Sequence, residues 1–161
     1  MALAGLQAGA ARGDRDVEDR LPSGALRDGA HHYQIVIARG WRPLTAPEGT
    51  LVAYQSAGGR SHLAITRIDV GRRGARDAAA LVAEVERGVE RATPGFRRLR
   101  RKLSEGERTA TFDLWYERDG SQVLSRYLIF SRHTVVLSIG VDGRDDRRAA
   151  EAMLKSFTPF Q

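Results

Sequence analysis

The sequence predicts an α+β domain: an antiparallel sheet of six to seven strands flanked by two main helices. Three observations carry this. Residues 109–141 alternate apolar and polar positions in three successive runs joined by short turns. Alternation with a period of two marks strands, and short links favour antiparallel pairing. Two further stretches, 77–92 and 145–157, repeat their apolar residues at helical spacing instead.

The 109–141 meander has the most detailed pattern. Ala110, Phe112, Leu114 and Tyr116 alternate with Thr111, Asp113, Trp115 and Glu117, and Asp119-Gly120 follows at once. That pair accepts positive φ at both residues and favours a two-residue type I′ hairpin. The turn then predicts a register: Tyr116 opposite Val123, Phe112 opposite Tyr127, and Asp113 opposite Arg126. The last pair sets opposite charges across the ladder, which is stabilising. A second turn at Arg132-His133 leads into Val135, Leu137, Ile139 and Val141. One face of the meander should carry Phe112, Leu114, Tyr116, Val123, Tyr127, Ile129 and Val136. The other should carry Trp115, Leu124, Leu128, Phe130, Val135, Leu137 and Ile139. Neither is polar enough to face water, so helices, a partner or a second copy must cover each. Two helices leave some apolar sheet surface for a partner.

From the N-terminus, residues 1–31 are Ala/Gly-rich, then mixed in charge and interrupted by Pro22, Gly24 and Gly29. This composition reads as a tail, flexible or ordered by a partner, with a single folded domain over 32–161. Residues 33–38 read as a strand. Gly40, Pro43, Pro47 and Gly49 make the next stretch irregular around Trp41, a large side chain suited to plugging a core. Residues 51–55 and 62–70 are strands joined by a turn at Gly58-Gly59, and 71–74 is a basic flexible link. Asp77 is a candidate N-cap for a helix with a Leu81, Val82, Val85, Val89 stripe, ended by Pro94-Gly95. Arg97, Arg98, Arg100, Arg101 and Lys102, interleaved with Phe96, Leu99 and Leu103, read as a solvated edge strand whose cations oppose aggregation. A phosphate or acidic-partner site is the other reading of that run. After Asp142-Gly143, Asp145 or Asp146 should cap a last helix with Ala150, Met153, Leu154 and Phe157 on one face, stopped before Pro159.

Composition limits the chemistry. At 161 residues one domain can bury a core without staples. There is no cysteine, which excludes disulfides and thiolate chemistry. The net charge of +6 is almost all arginine, because Lys102 and Lys155 are the lysines. A basic balance alone is weak evidence for nucleic acid. No run approaches the ~18 apolar residues of a membrane span, and the start lacks a basic secretory n-region, so a cytoplasmic location is expected. His31, His32, His62 and His133 show no metal-ligand spacing, and Asp142, Asp145 and Asp146 lack the spacing of a calcium loop. No nucleophile elbow or phosphate loop occurs. The expectation is a non-enzymatic protein without cofactor or metal.

Several local strings then fall in a familiar order: Gly40-Trp41 after the first strand, L-A-I-T-R at 63–67, P-G-F-R at 94–97, Ser125-Arg126 before an apolar run, and Lys155-Ser156-Phe157. Over roughly 33–159 the chain resembles the PsbP-like superfamily, with its DcrB-like proteins, and within it the Eag-type chaperones of bacterial type VI secretion. The resemblance implies an α/β/α sandwich and a dimeric, non-enzymatic adaptor or chaperone that shields an apolar or transmembrane segment of a secretion effector on its sheet. It places the binding strand at Leu63, Ala64 and Ile65; Trp115 and Leu124 on the second meander face complete the candidate partner-binding residues. The alternative of another class is an envelope lipoprotein or ligand-binding module of the same superfamily, whose signal segment the sequence lacks. Nucleic-acid binding through Arg97 to Lys102 and Arg72-Arg73 ranks last, since no aromatic platforms line a clearly basic face.

Overall fold

The structure, a computed structural model, describes residues 19–20, 24–70 and 77–160. Its main sheet has seven strands, all antiparallel, in the order β4-β5-β6-β10-β9-β8-β7. These are β4 (Arg42–Leu44), β5 (Thr50–Gln55), β6 (His62–Asp69), β7 (Arg97–Glu105), β8 (Ala110–Arg118), β9 (Ser121–Ile129) and β10 (His133–Val141). A smaller sheet contains β1 (Asp19–Arg20), β2 (Ala25–Asp28), β3 (Tyr33–Val36) and β11 (Thr158–Pro159). The helices are α1 (Ala78–Ala92) and α2 (Arg144–Ser156).

The meander forms with the register that its first turn dictates. Tyr116 lies opposite Val123, Phe112 opposite Tyr127 and Asp113 opposite Arg126. Asp119 and Gly120 have φ of 47° and 81°, the left-handed values a type I′ turn requires. The second turn sits one residue earlier than expected: Ile129 pairs with Thr134, and the Phe130 amide donates to the His133 carbonyl. The loop length is still even, so β10 keeps its faces.

Those faces become two cores. On one side Leu124, Leu128, Val135, Leu137 and Ile139 pack with Leu63 and Ile65 of β6, with Ala150, Met153 and Leu154 of α2, and with Leu26, Tyr33 and Ile35 of the small sheet. Trp41 is buried in this core, as its size suggested. On the other side Phe112, Leu114, Tyr127, Ile129 and Val136 pack with Ala78, Leu81 and Val82 of α1. The fold is thus a layered sandwich in which α2 and the small sheet together form one outer layer.

Four local expectations need correction. Residues 33–36 pair with β2 and β11 rather than joining the main sheet; Tyr33 and Ile35 thereby cover α2, and the Tyr33 ring meets that of Phe157 at a tilt, 5.5 Å between centroids. Residues 42–44, read as irregular because of Pro43, form edge strand β4, where a missing N–H is tolerated. Ala25–Asp28, read within the tail, pairs with β3; residues 1–18 and 21–23 of that tail, and the link at 71–74, lie outside the described residues. The carboxylate caps do not form. Asp77 holds the N-cap position of α1 without a side-chain bond, and Gly143 holds that of α2. Asp146 instead accepts a 2.6 Å hydrogen bond from Ser61 Oγ, whose oxygen accepts from the Asp142 amide at 2.9 Å, tying the β5–β6 turn to the start of α2.

Candidate functional site

α1 covers only part of its side of the sheet, and the uncovered part forms a groove. The first half of the helix is seated: Ala78, Leu81 and Val82 are buried against Phe112, Tyr127 and Ile129. The second half presents Val85, Gly88, Val89, Ala92 and Thr93 along an open trough of about 360 Å³. The floor of the trough is Ala64, Thr66 and Ile68 of β6, Val136 and Ser138 of β10, and Val123, Ser125 and Tyr127 of β9. Tyr116 and Arg118 of β8 also line it.

Register explains why the floor is low. Ala64 lies opposite Ser138, and Ser138 opposite Ser125, so three small side chains stand in one row across three strands. The neighbouring row is Thr66, Val136 and Tyr127. With so little volume in the first row, the sheet surface dips beside the helix. The serines satisfy each other, Oγ to Oγ at 3.0 Å, which leaves little polar demand on the trough. Tyr127 is buried, and burial, with Tyr116 adding to it, drives its phenol far above the ordinary tyrosine range. Burial also raises the Tyr116 phenol, against the opposing influence of Arg118 and a hydrogen bond with Thr93. Both rings are therefore neutral, largely apolar walls. A smaller apolar cavity of about 30 Å³ continues beneath α1 and shares Ile68, Val85 and Tyr127 with the trough. The Thr134 hydroxyl that lines it is buried and has no hydrogen-bond partner among the described residues. Ile68, at the open end, is a large apolar side chain left 43% exposed.

The structure separates the residues that the sequence grouped. Alternation along β6 puts Leu63 and Ile65 on the α2 side, where both are fully buried, and Ala64 on the trough floor. Leu124 is likewise fully buried on the α2 side. A side chain with no exposed surface is core, so a guest in the trough meets Ala64 alone of these four. Trp115, partly buried on the same side as Leu124, lies between the guanidinium groups of Arg100 and Arg147, at 4.8 and 5.2 Å from its ring. The signal that could have located the trough was present: Ala64, Ser125 and Ser138 interrupt otherwise large-residue faces at matching register.

A second concavity, of about 700 Å³, opens between β2–β3 and β4–β5 and is lined by Leu26, Val36, Trp41, Pro43 and Tyr54 among others. It is larger than the trough and more open to solvent. Among the described residues no group of three or more His, Cys, Asp or Glu is placed to hold a metal ion. No helix among them is long and apolar enough to cross a membrane.

No family model matches the chain, and no curated protein matches its sequence. Solved structures do match in fold. The cyanobacterial PsbP (CyanoP) of Synechocystis aligns over 94% of this chain and 98% of its own, with a TM-score of 0.61 at 11% identity. The Ran-binding protein Mog1p of Saccharomyces cerevisiae aligns over 84% of this chain and 94% of its own, with a TM-score of 0.51 at 11% identity. A protein of Bacteroides thetaiotaomicron aligns over 88% of this chain and 50% of its own, with a TM-score of 0.50 at 9% identity. The fold is therefore the PsbP-like α+β fold.

Proposed function

We propose that this protein is a non-enzymatic adaptor or chaperone that shields an apolar segment of a partner protein in the trough between α1 and the main sheet. One observation carries the reading: a concavity of about 360 Å³ walled by Val85, Val89, Val123, Val136 and two neutral tyrosines, with its serines bonded to each other. A guest would gain roughly 25 cal/mol for each Å² of apolar surface removed from water. Aliphatic walls of this kind supply burial rather than general acid or base, which supports a binding role over catalysis. The Mog1p likeness is in keeping, since that protein is a Ran-binding protein, although it is a likeness of fold. A secretion effector as the partner and a homodimer form the finer reading and rest on the sequence resemblance over 33–159; a cytoplasmic location is in keeping with that reading.

The volume also suits a small apolar ligand, which favours the ligand-binding module as second reading. A single comparison separates the two. A lysine-flanked Leu/Ala peptide of about 20 residues, the length of a bilayer span, is titrated against the full chain and against Ala64→Leu. The proposal expects saturable binding that Ala64→Leu weakens by about tenfold or more, the loss expected when 1.4 kcal/mol or more of contact is blocked. A peptide that fails to bind while a free fatty acid does so would transfer the site to the second reading.

A further inference from the structure

The main sheet ends on two very different edges. β4 is three residues long and carries Pro43, a poor template for another strand. β7 runs for nine residues without proline, and no strand lies on its outer side among the described residues. A bulge between Arg98 and Arg100 sets Leu99 apart and sorts the cations into two rows. Arg98 and Arg101 point to the α1 side, where both bond Glu86, at 2.6 and 2.7 Å. Arg97, Arg100 and Lys102 form the row on the opposite side, across from Glu117, Trp115 and Asp113.

That second row is short of counter-charge. Arg97 pairs with Glu117 at 2.6 Å. Arg100 comes no closer than 3.7 Å to Asp113, whose two oxygens already accept 2.7 and 3.0 Å bonds from Arg126. Lys102 has no ion pair among the described residues. Cations on an edge keep unrelated strands away. They also repel a second β7, because antiparallel pairing of two copies would set these rows against each other. The same charges admit a strand that brings carboxylates.

We propose that the outer edge of β7 docks an extended acidic segment of a partner protein as an added strand, its carboxylates at alternate positions facing Arg97, Arg100 and Lys102. Backbone hydrogen bonds along the edge would hold the segment, and the cation row would select it and set its register. This surface is separate from the trough, so either can fail alone.

The test uses the full chain and a capped nine-residue peptide of alternating Glu and Val, followed by fluorescence anisotropy and by amide exchange along β7. Expected are saturable binding, slower exchange at alternate β7 amides, and affinity about tenfold or more lower in Arg100→Glu/Lys102→Glu, a charge reversal at an exposed edge. A peptide of the same composition built from alternating D and L residues should not protect the edge. Equal binding of that peptide, an unchanged affinity in the charge-reversed variant, self-association through β7, or an oligonucleotide bound in preference to the peptide would each overturn the proposal.

Discussion

Among the described residues Asp113 is the buried charge, and the partly buried Arg126 pairs with it. Asp113 is 4% exposed. Arg126 forks onto it with two bonds and gives a third, of 2.7 Å, to the Leu154 carbonyl of α2. One guanidinium thus joins β8, β9 and the second helix. Removing one partner of such a pair strands the other charge in the core, at a cost of roughly 3–5 kcal/mol. Arg126→Met should lower stability by that amount in urea denaturation; a loss under about 1 kcal/mol would show that water replaces the arginine. The pairing was legible beforehand, because Asp119-Gly120 dictates the register. The third bond was not, since nothing local in the sequence says which carbonyl of α2 arrives there. His133 offers a residue-scale test of pH. Burial lowers its imidazole pKa; the Nε2 contact to the His31 carbonyl opposes this, while Arg67, His31 and His32 lower it further. The unfolded chain then takes up this proton more readily than the folded one. Stability should be full above the ordinary imidazole range and should decline as pH falls through it, levelling off below the folded value. His133→Phe should flatten that part of the urea midpoint's pH profile, and an unchanged slope would contradict the assignment.

At the scale of elements, β6 shows how alternation decides between core and surface. Leu63 is fully buried beside Leu137 and Ile139, whereas Ala64 faces the trough. Leu63→Ala should cost about 2–5 kcal/mol through lost contacts and a residual cavity. Ala64→Leu has open space before it and should change stability by less than about 1 kcal/mol. Equal costs in thermal or urea unfolding would contradict the placement of the trough. The same contrast explains what could be read in advance. Strands β8, β9 and β10, both their faces and the stripe of α1 follow from period and turn chemistry. β4 was hidden by Pro43, a residue that fits an edge but argues against a strand interior. β2 was hidden by the Gly24 and Gly29 that flank it. The bulge at Leu99 was hidden because R-R-L-R-R-K alternates equally poorly in either phase. The helix caps misled for a different reason: Asp146 found a better donor in Ser61, distant in sequence, than in its own helix.

For the whole molecule, the layers are unequal. One side of the main sheet is closed by α2 and the small sheet together, through Tyr33, Ile35, Met153, Leu154 and Phe157. The other has α1 alone, seated over Phe112 and Ile129 and leaving Ala64 and Ser138, in the row that ends at the buried Ser125, partly exposed. The expectation that two helices cannot close both faces of this sheet describes that asymmetry, but only the three-dimensional register shows which face stays open. Valines mark the two sides in a way one spectrum can read. Val85, Val89, Val123 and Val136 line the trough, and Val52, Val135 and Val141 belong to the α2 core. The most direct measurement is a methyl NMR titration of valine-labelled protein with the lysine-flanked Leu/Ala peptide. The account predicts saturable shifts at Val85, Val89, Val123 and Val136 while Val52, Val135 and Val141 stay in place. Shifts confined to Val52, Val135 and Val141, or no shifts at all, would contradict it.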